Sequence, residues 1–267
     1  MTNSARIRRG ALLWLLMPGA ALAAPPVQLE ELTSPELQAR IAAGATTVLL
    51  PIGGTEQNGP HMALGKHNAR VRWLAARIAQ QLGDAIVAPV LAYVPEGMVQ
   101  PPTQHMRWAG TISIPVPAFE GLLEGAARSF RQHGFCQVVL LGDHGGYRAS
   151  LDRVAARLNR EWAARSACRV HALPEYYRAA SADYAHALKS RGYTAAEIGT
   201  HAGLADTALA LGVDATQVRS EQLAQRRPGD GVAGDPARAS AELGRIGLEH
   251  IVQASVAAIR AATHGAP

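Results

Sequence analysis

The chain has 267 residues, 26 of them basic and 21 acidic, for a formal net charge of +5. Three of the basic residues, Arg6, Arg8 and Arg9, and none of the acidic ones fall within the first 23, which leaves 23 against 21, or +2, for the rest. That near balance, with no Lys/Arg block interleaved with aromatics, excludes a nucleic-acid-binding reading.

The first predicted element is a leader. The three arginines form a basic region, residues 11–17 (ALLWLLM) an apolar one, and Ala21-Leu22-Ala23 a small-residue cleavage site. The apolar run is shorter than the roughly 20 residues a bilayer span needs. Residues 1–23 are therefore expected to be a cleaved signal peptide, with a mature start near Ala24, a periplasmic or secreted product and no stable membrane insertion afterwards. An uncleaved anchor helix is the alternative, and the Arg8-Arg9 pair fits the twin-arginine route poorly. The remaining stretch, 24–267, suits one α/β domain. No linker divides it, and the one loose segment, 226–239, is rich in Gly, Pro, Asp and Arg. Cys136 and Cys168 lie 32 positions apart and do not make a metal-binding pair. Export permits a disulfide between them; two separate buried thiols are the alternative.

From residue 47 onward, apolar runs alternate with helical patterns. Residues 47–51 read as a strand, and 69–82 as a helix with Val71, Leu74, Ala75, Ile78 and Leu82 at helical spacing. A second strand is expected over 85–90, a short strand-like piece over 110–114, and a helix over 118–133 with Phe119, Leu122, Leu123, Ala126, Ala127 and Phe130 on one face. Residues 137–141 form a third strand that enters Gly142-Asp143-His144-Gly145-Gly146; a helix over 149–166 and a fourth strand over 168–173 follow. The segment 194–211 begins as a loop and becomes a helix, and 239–263 is a terminal helix. This alternation predicts a three-layer α/β/α fold with a mostly parallel central sheet. Right-handed crossovers place the strand C-termini on one rim, where open α/β sheets bind ligands.

Three segments feed that rim. The first is the Gly- and Pro-rich loop 51–68 (PIGGTEQNGPHMALGKHN), the second is 142–146 (GDHGG), and the third is 200–207 (THAGLADT). Each combines His or a carboxylate with small residues that let a metal or substrate approach the backbone. Together they resemble the creatininase family of metal-dependent amidohydrolases. The first is similar to the family's E-x-H-G-P-H-x-P-L-x-x-D, the second to N-G-H-G-G-N and the third to H-A-G-x-x-E-T. Between them, 104–113 (QHMRWAGTIS) is similar to E-H-x-x-F-P-G-T-I-S. The order is kept, over roughly residues 49–211.

The resemblance implies a creatininase-like fold and a centre for divalent ions. In the family, two ions (Zn or Mn) are held by the Glu, the His two residues on, the Asp nine residues further, the His of the second motif and another carboxylate. Here Glu56 and His144 match, and Asp206 stands where the third motif has Glu. Asn58 replaces the ligand His and His67 the bridging Asp. A carboxylate bridges two cations, whereas an imidazole has one lone pair and an amide oxygen is a poor zinc ligand. The expected set is thus Glu56, His67, His144 and Asp206 around one zinc per chain, with manganese or iron as alternatives. His201, matching the first residue of H-A-G, is the expected catalytic proton carrier. Asn58, His61, His105, Trp108, Gly145, Gly146 and Tyr147 are expected to contact substrate or support the ligands: His61 as a loop brace, Trp108 and Tyr147 as pocket walls, the glycine amides at an oxyanion.

The function these features imply is hydrolysis of a small amide, cyclic amide or other non-peptide C–N bond by a metal-activated water. The rival is a non-catalytic periplasmic module that binds a small molecule or metal through an old enzyme pocket. The two-His-one-carboxylate set also suits an oxygen-using iron enzyme. The expected partner is a small molecule, with no nucleic acid. A homo-oligomer is implied by the resemblance, since family members often form hexamers.

Overall fold

The computed structural model describes residues 26–264 except Arg165 and Arg226. The proposed leader and the mature start near Ala24 lie outside the described residues. Four strands, β1 (Thr47–Ile52), β2 (Ala85–Val87), β3 (Gln137–Gly142) and β4 (Arg169–Ala172), form one sheet in the order β2-β1-β3-β4, and every pairing is parallel. Successive side chains of a strand point to opposite faces, and here each face has its own core. Leu49, Val139 and Leu141 pack with α2 (Lys66–Leu82), α8 (Leu204–Val213) and α9 (Ala241–His264). Val48, Leu50, Ile52, Val138 and Leu140 pack with α3 (Val116–Gln132) and α4 (Arg148–Trp162). Both cores are apolar along their whole depth, which is why β1 reads as an unbroken apolar run rather than an alternating one. The result is the three-layer α/β/α architecture with a parallel sheet.

Strand order places the site. After β1 the chain crosses through α2 to β2 on one side, then returns through α3 to β3 on the other side of β1. The connections leaving β1 and β3 therefore run in opposite directions, which opens a crevice at their C-terminal ends. The 51–68 loop and the Asp143-His144 turn both enter that crevice.

Several elements differ from the sequence reading. Residues 110–114 are not a strand: the Ile112 N–H donates to Thr55 O at 2.9 Å and the Ile114 N–H to Val94 O at 3.2 Å, so the segment straps two loops together outside the sheet. The second strand ends at Val87 because Pro89 has no N–H to donate, and pairing resumes only as a bridge between Ile52 and Leu91. Helix α1 (Ser34–Ala42), closed by a Thr33–Glu36 capping box, precedes the first predicted strand. Short helices α5 (Pro174–Arg178), α6 (Tyr184–Lys189) and α7 (Ala195–Ile198), with a π segment over Ala179–Asp183, fill the stretch between β4 and α8. The two cysteines form a disulfide, Cys136–Cys168. They sit just before β3 and β4, and the parallel pairing of those strands brings their Cα atoms to 4.3 Å. Among the described residues no helix is long and apolar enough to cross a membrane.

Candidate metal centre

The 51–68 loop folds around its own polar groups. Asn68, in the first turn of α2, accepts from the Gly54 N–H at 3.0 Å and donates to Thr55 Oγ1 at 3.2 Å. Asn58 is fully buried and its Nδ2 donates to the Glu56 and Ala63 carbonyls, both at 2.9 Å. Those bonds turn the chain so that the Glu56 side chain points into the crevice and is itself fully buried. An ionised carboxylate in such a place needs partners. Oε1 has them: His67 Nε2 at 2.8 Å and Lys66 Nζ at 3.6 Å. Oε2 has no hydrogen-bond partner, with His105 Nε2 at 3.4 Å and His144 Nε2 at 3.8 Å. Burial alone would raise the Glu56 pKa, but His67 and Lys66 hold it well below the usual carboxylate range.

Two groups of ligand-bearing residues share Glu56: Glu56–His67–His144 and Glu56–His105–His201, each with its ligand atoms within 4.8 Å of one another. Ligands about 2.0–2.1 Å from a tetrahedral zinc stand roughly 3.3–3.4 Å apart. The separations of 2.8 and 3.8 Å in the first group fall either side of that value, and those of 3.4 and 3.7 Å in the second lie at or just above it. Distance does not choose between them; protons do. Gln57 Oε1 accepts from the Gly59 N–H at 2.9 Å, which makes its amide nitrogen the atom facing Gly231 O at 3.0 Å and His105 Nδ1 at 2.9 Å. His105 Nδ1 therefore accepts, and its proton lies on Nε2, the atom nearest Glu56. His105 is then a donor to the centre. His201 Nε2 donates to Gln57 O at 2.9 Å, which leaves Nδ1 bare, 3.7 Å from Glu56 Oε1. The second group thus offers one imidazole lone pair.

In the first group, His67 is clamped at both ends, with Nε2 on Glu56 and Nδ1 on Asp143 Oδ2 at 2.6 Å. Burial and Lys66 oppose its charge, yet the two carboxylates raise its pKa above the ordinary histidine value. If a cation replaces the Nε2 proton, Nδ1–H stays on Asp143, the carboxylate–histidine arrangement that orients metal-bound imidazoles. Burial, reinforced by the charge on His67, pushes His144 down to about 3, so its ring is neutral. A buried orphan carboxylate oxygen, a neutral imidazole and a second imidazole backed by a carboxylate fit a divalent ion.

The other expected site residues fall in different places. Asp206 lies beside the centre, but Oδ2 accepts from Lys66 Nζ at 2.8 Å and from the Ala202 N–H at 3.0 Å, and Oδ1 from Arg70 at 3.0 Å. Its oxygens are spent on those donors, and it belongs to neither ligand group. Tyr147 is no pocket wall. It is buried beneath the β1 and β3 ends, accepts from the Asp143 and His144 N–H groups and faces the Ile52 and Gly53 carbonyls at 2.7 and 2.8 Å. The Gly146 N–H is turned to His144 Nδ1 at 3.3 Å, away from any oxyanion, while Gly145 lines the cavity against Tyr177. His61 is buried with Nε2 on Thr207 Oγ1 at 3.0 Å. Trp108 lines a separate depression with Arg227, Asp230 and Val232.

The cavity over the centre is about 510 Å³, and His67, His105, His144, His201, Gly145 and Asp206 are among the residues lining it. His201 is held at about 4 by burial, with Lys66 acting in the same direction, so it too is neutral. The backbone on this side is strained: Ala202, next to His201, has φ 51°, and Gln104, next to His105, has φ 48°. Residues 227–239, part of the segment that is loose by composition, close one wall through Gly231 O on Gln57 and paired hydrogen bonds between Ala233 and His201.

Sequence reasoning passed over five residues of this cluster. Asp143 stands inside a quoted motif, and Lys66 and Arg70 share the buried face of α2 with His67, a polar i, i+1, i+4 pattern on a helix otherwise packed in the core. Gln57 adjoins Glu56. Glu96 had no signal beyond its place in a Pro/Gly-rich loop; it is fully buried, and burial together with the charge on Glu56 raises its pKa to about 8.

Comparison with known proteins bears on the family and the fold. Over 119 residues the chain is 34% identical to the mycofactocin precursor peptide peptidase of Mycolicibacterium smegmatis, covering 43% of this chain and 45% of that protein. Over 114 residues it is 32% identical to the creatinine amidohydrolase of Pseudomonas putida, covering 43% of each. The matched part thus spans less than half the length of either relative. A solved structure of the manganese form of creatininase superposes with a TM-score of 0.76 at 25% identity, over 88% of this chain and 98% of that one. The family model for creatininase (creatinine amidohydrolase) matches residues 30–259, nearly all of the described chain, and the protein belongs to the creatininase family.

Proposed function

We propose that the protein is a metal-dependent hydrolase of a small, non-peptide amide or cyclic amide C–N bond. The observation that carries this is the orphan Oε2 of Glu56, buried and facing His144 across 3.8 Å in a chain whose family fold builds metal-dependent amidohydrolases. Glu56, His67 and His144 would hold one divalent ion, zinc foremost, with manganese or iron as alternatives. When bound, that ion would supply a Lewis acid for the carbonyl and an acidified water.

The chain's own groups would do the rest. His201 is neutral, its Nε2–H is anchored on Gln57 O and its Nδ1 is bare, so it can take up a proton from the attacking water and pass it to the leaving nitrogen. His105 directs Nε2–H into the same space and can donate to developing oxyanion charge. Gly145 lets the substrate approach the β3 turn closely, where a side chain would collide with Tyr177. A cavity of about 510 Å³ is of small-molecule size. One relative is described as a peptidase, so short peptides are the substrate class to compare against. An exported, periplasmic homo-oligomer is part of the same proposal.

The test is elemental analysis followed by a turnover screen of the zinc-loaded protein on cyclic amides, linear amides and short peptides. Amide turnover lost in His201→Ala with metal retained supports the reading. Tight metal binding without turnover of any of the three classes favours a binding module, and turnover confined to peptides rejects the non-peptide assignment.

A further inference from the structure

The two histidines beside Glu56 sit in matching frames. His67 presents Nε2 to Glu56 and Nδ1 to Asp143, at 2.8 and 2.6 Å. His144 presents Nε2 to Glu56 Oε2 at 3.8 Å and Nδ1 to Glu96 Oε2 at 3.6 Å. The carboxylates differ in how they are held. Asp143 is gripped by Arg70 and by the Tyr176 hydroxyl. Glu96 has a fully buried side chain, and neither of its oxygens has a hydrogen-bond partner. A buried, unpartnered carboxylate is costly and persists where something repays it. The surrounding chain is built to keep it there. The Glu96 N–H donates to Ser113 Oγ at 3.0 Å, Ser113 donates to Gly97 O at 2.7 Å, and Gly54 leaves the space that a Cβ would fill 2.6 Å from Glu96 Oε1.

His144 Nδ1 has a second neighbour, the Gly146 N–H at 3.3 Å. A ring nitrogen cannot donate and accept at once. If Nδ1 accepts from Gly146, the proton lies on Nε2 and the ring cannot bind a cation beside Glu56. If Nδ1 carries the proton, it faces Glu96, and the Nε2 lone pair faces Glu56. Resting on the metal-centre reading above, we propose that Glu96 is the positioning residue of His144: by accepting Nδ1–H it selects the tautomer whose Nε2 lone pair completes the Glu56–His67–His144 set. Because Glu96 faces the ring nitrogen opposite Glu56, it acts through His144 and is no ligand of the same ion. The centre then has two carboxylate–histidine pairs, Asp143–His67 and Glu96–His144.

The experiment measures zinc affinity by chelator competition on the full protein, with Glu96→Leu, Glu96→Gln and His144→Ala as variants. Outer carboxylates of this kind are worth about 10–100-fold in metal affinity; the loss should be near the upper end for Leu and near tenfold for Gln, whose amide oxygen still accepts. Long-range ¹⁵N–¹H spectra of the zinc-loaded wild type should show the His144 proton on Nδ1. In chelator, both Glu96 variants should melt no lower than wild type, since the side chain they replace is a buried acid whose two oxygens have no hydrogen-bond partner. A structural role would instead lower stability and affinity together. Wild-type affinity in Glu96→Leu, with binding lost in His144→Ala, overturns this proposal and leaves the metal centre standing; a wild type that binds no zinc overturns both. If Glu96→Leu does not fold, Glu96→Gln decides, and affinity within about twofold of wild type, or an Nε2-protonated His144, rejects the idea.

Discussion

Replacing Asp143 by Asn should cost more stability than any other isosteric change at the site. Asp143 is almost fully buried. Its Oδ1 accepts from Tyr176 Oη at 2.7 Å and Arg70 Nε at 3.1 Å, and its Oδ2 from His67 Nδ1 at 2.6 Å and Arg70 Nε at 2.9 Å. Every neighbour is a donor. Whichever way an Asn amide is turned, its NH₂ meets donors, and the buried Arg70 loses its nearer counter-charge. Removing one partner of a buried ion pair costs about 3–5 kcal/mol. Arg70 keeps Asp206 at 3.0 Å, a side chain 21% exposed, so the lower end applies, about 3 kcal/mol. For a chain of this size each kcal/mol moves Tm by roughly 2–4 °C, which predicts a fall of about 6–12 °C. Thermal unfolding by circular dichroism in excess chelator reads this directly, without a contribution from bound metal. A shift under about 2 °C would mean that Asp143 does not carry the charge balance of the cluster, and the account of His67 as a doubly clamped ring would go with it.

Elemental analysis should find about one divalent ion per chain, and His144→Ala should remove most of it; two ions at full occupancy would reject the single-ion reading. Gly244→Ala should lower Tm by several degrees, at roughly 1–3 kcal/mol for overpacking, because its Cβ would land on the Ala208 carbonyl oxygen where α9 crosses α8. A rise in Tm, from the better helix propensity of Ala, would show that the two helices do not touch there. Far from the site, His171 is kept below its ordinary pKa by burial, with Arg169 adding to it. The unfolded chain therefore binds the extra proton first, and stability is lost as pH falls through the ordinary histidine range. His171→Gln should flatten the fall in Tm between about pH 7 and 5, and an unchanged slope would place the acid sensitivity elsewhere.

The strands and long helices were legible because their apolar spacing is a local record of burial on one face or two. Val48 and Leu50 serve one core and Leu49 the other, so β1 shows as an unbroken apolar run. Helix α1 carried a readable start, Thr33 and Glu36 as a capping box around Pro35, yet its apolar face is short and only half buried, and periodicity alone overlooks it. The strap over 110–114 shows the reverse error, because extended backbone with apolar alternation satisfies its hydrogen bonds on loops as well as in a sheet. Glu56, His67 and His144 could be found because the motifs keep them in register after two strands. Asp206 keeps its motif position, but its neighbours were invisible in one dimension: Lys66 and Arg70 reach it from 140 and 136 positions away. Glu96 carries no motif at all, and nothing in one dimension links it to Ser113, the last residue of the 104–113 motif, 17 positions away.

The changes at Asn58 and His67 take on physical sense when the charges of the cluster are considered together. Glu56 divides its two oxygens. Oε1 faces His67 and the buried ammonium of Lys66, and Oε2 faces His144 and has no hydrogen-bond partner. A carboxylate that serves two metal ions needs both oxygens, and here Oε1 already faces the fixed ammonium of Lys66. Lys66 is held in place by Asp206, and Arg70 by Asp206 and Asp143, so neither can swing away. A second dication within about 4 Å of such an ammonium would be repelled by roughly 8 kcal/mol at an effective dielectric of 20. With Asn58 turned inward onto the Glu56 and Ala63 carbonyls, nothing at that position offsets the repulsion. On the proposed single-ion reading, the buried Lys66 ammonium beside His67 supplies positive charge where a second ion would otherwise stand, and two equivalent ions found by elemental analysis would refute that account.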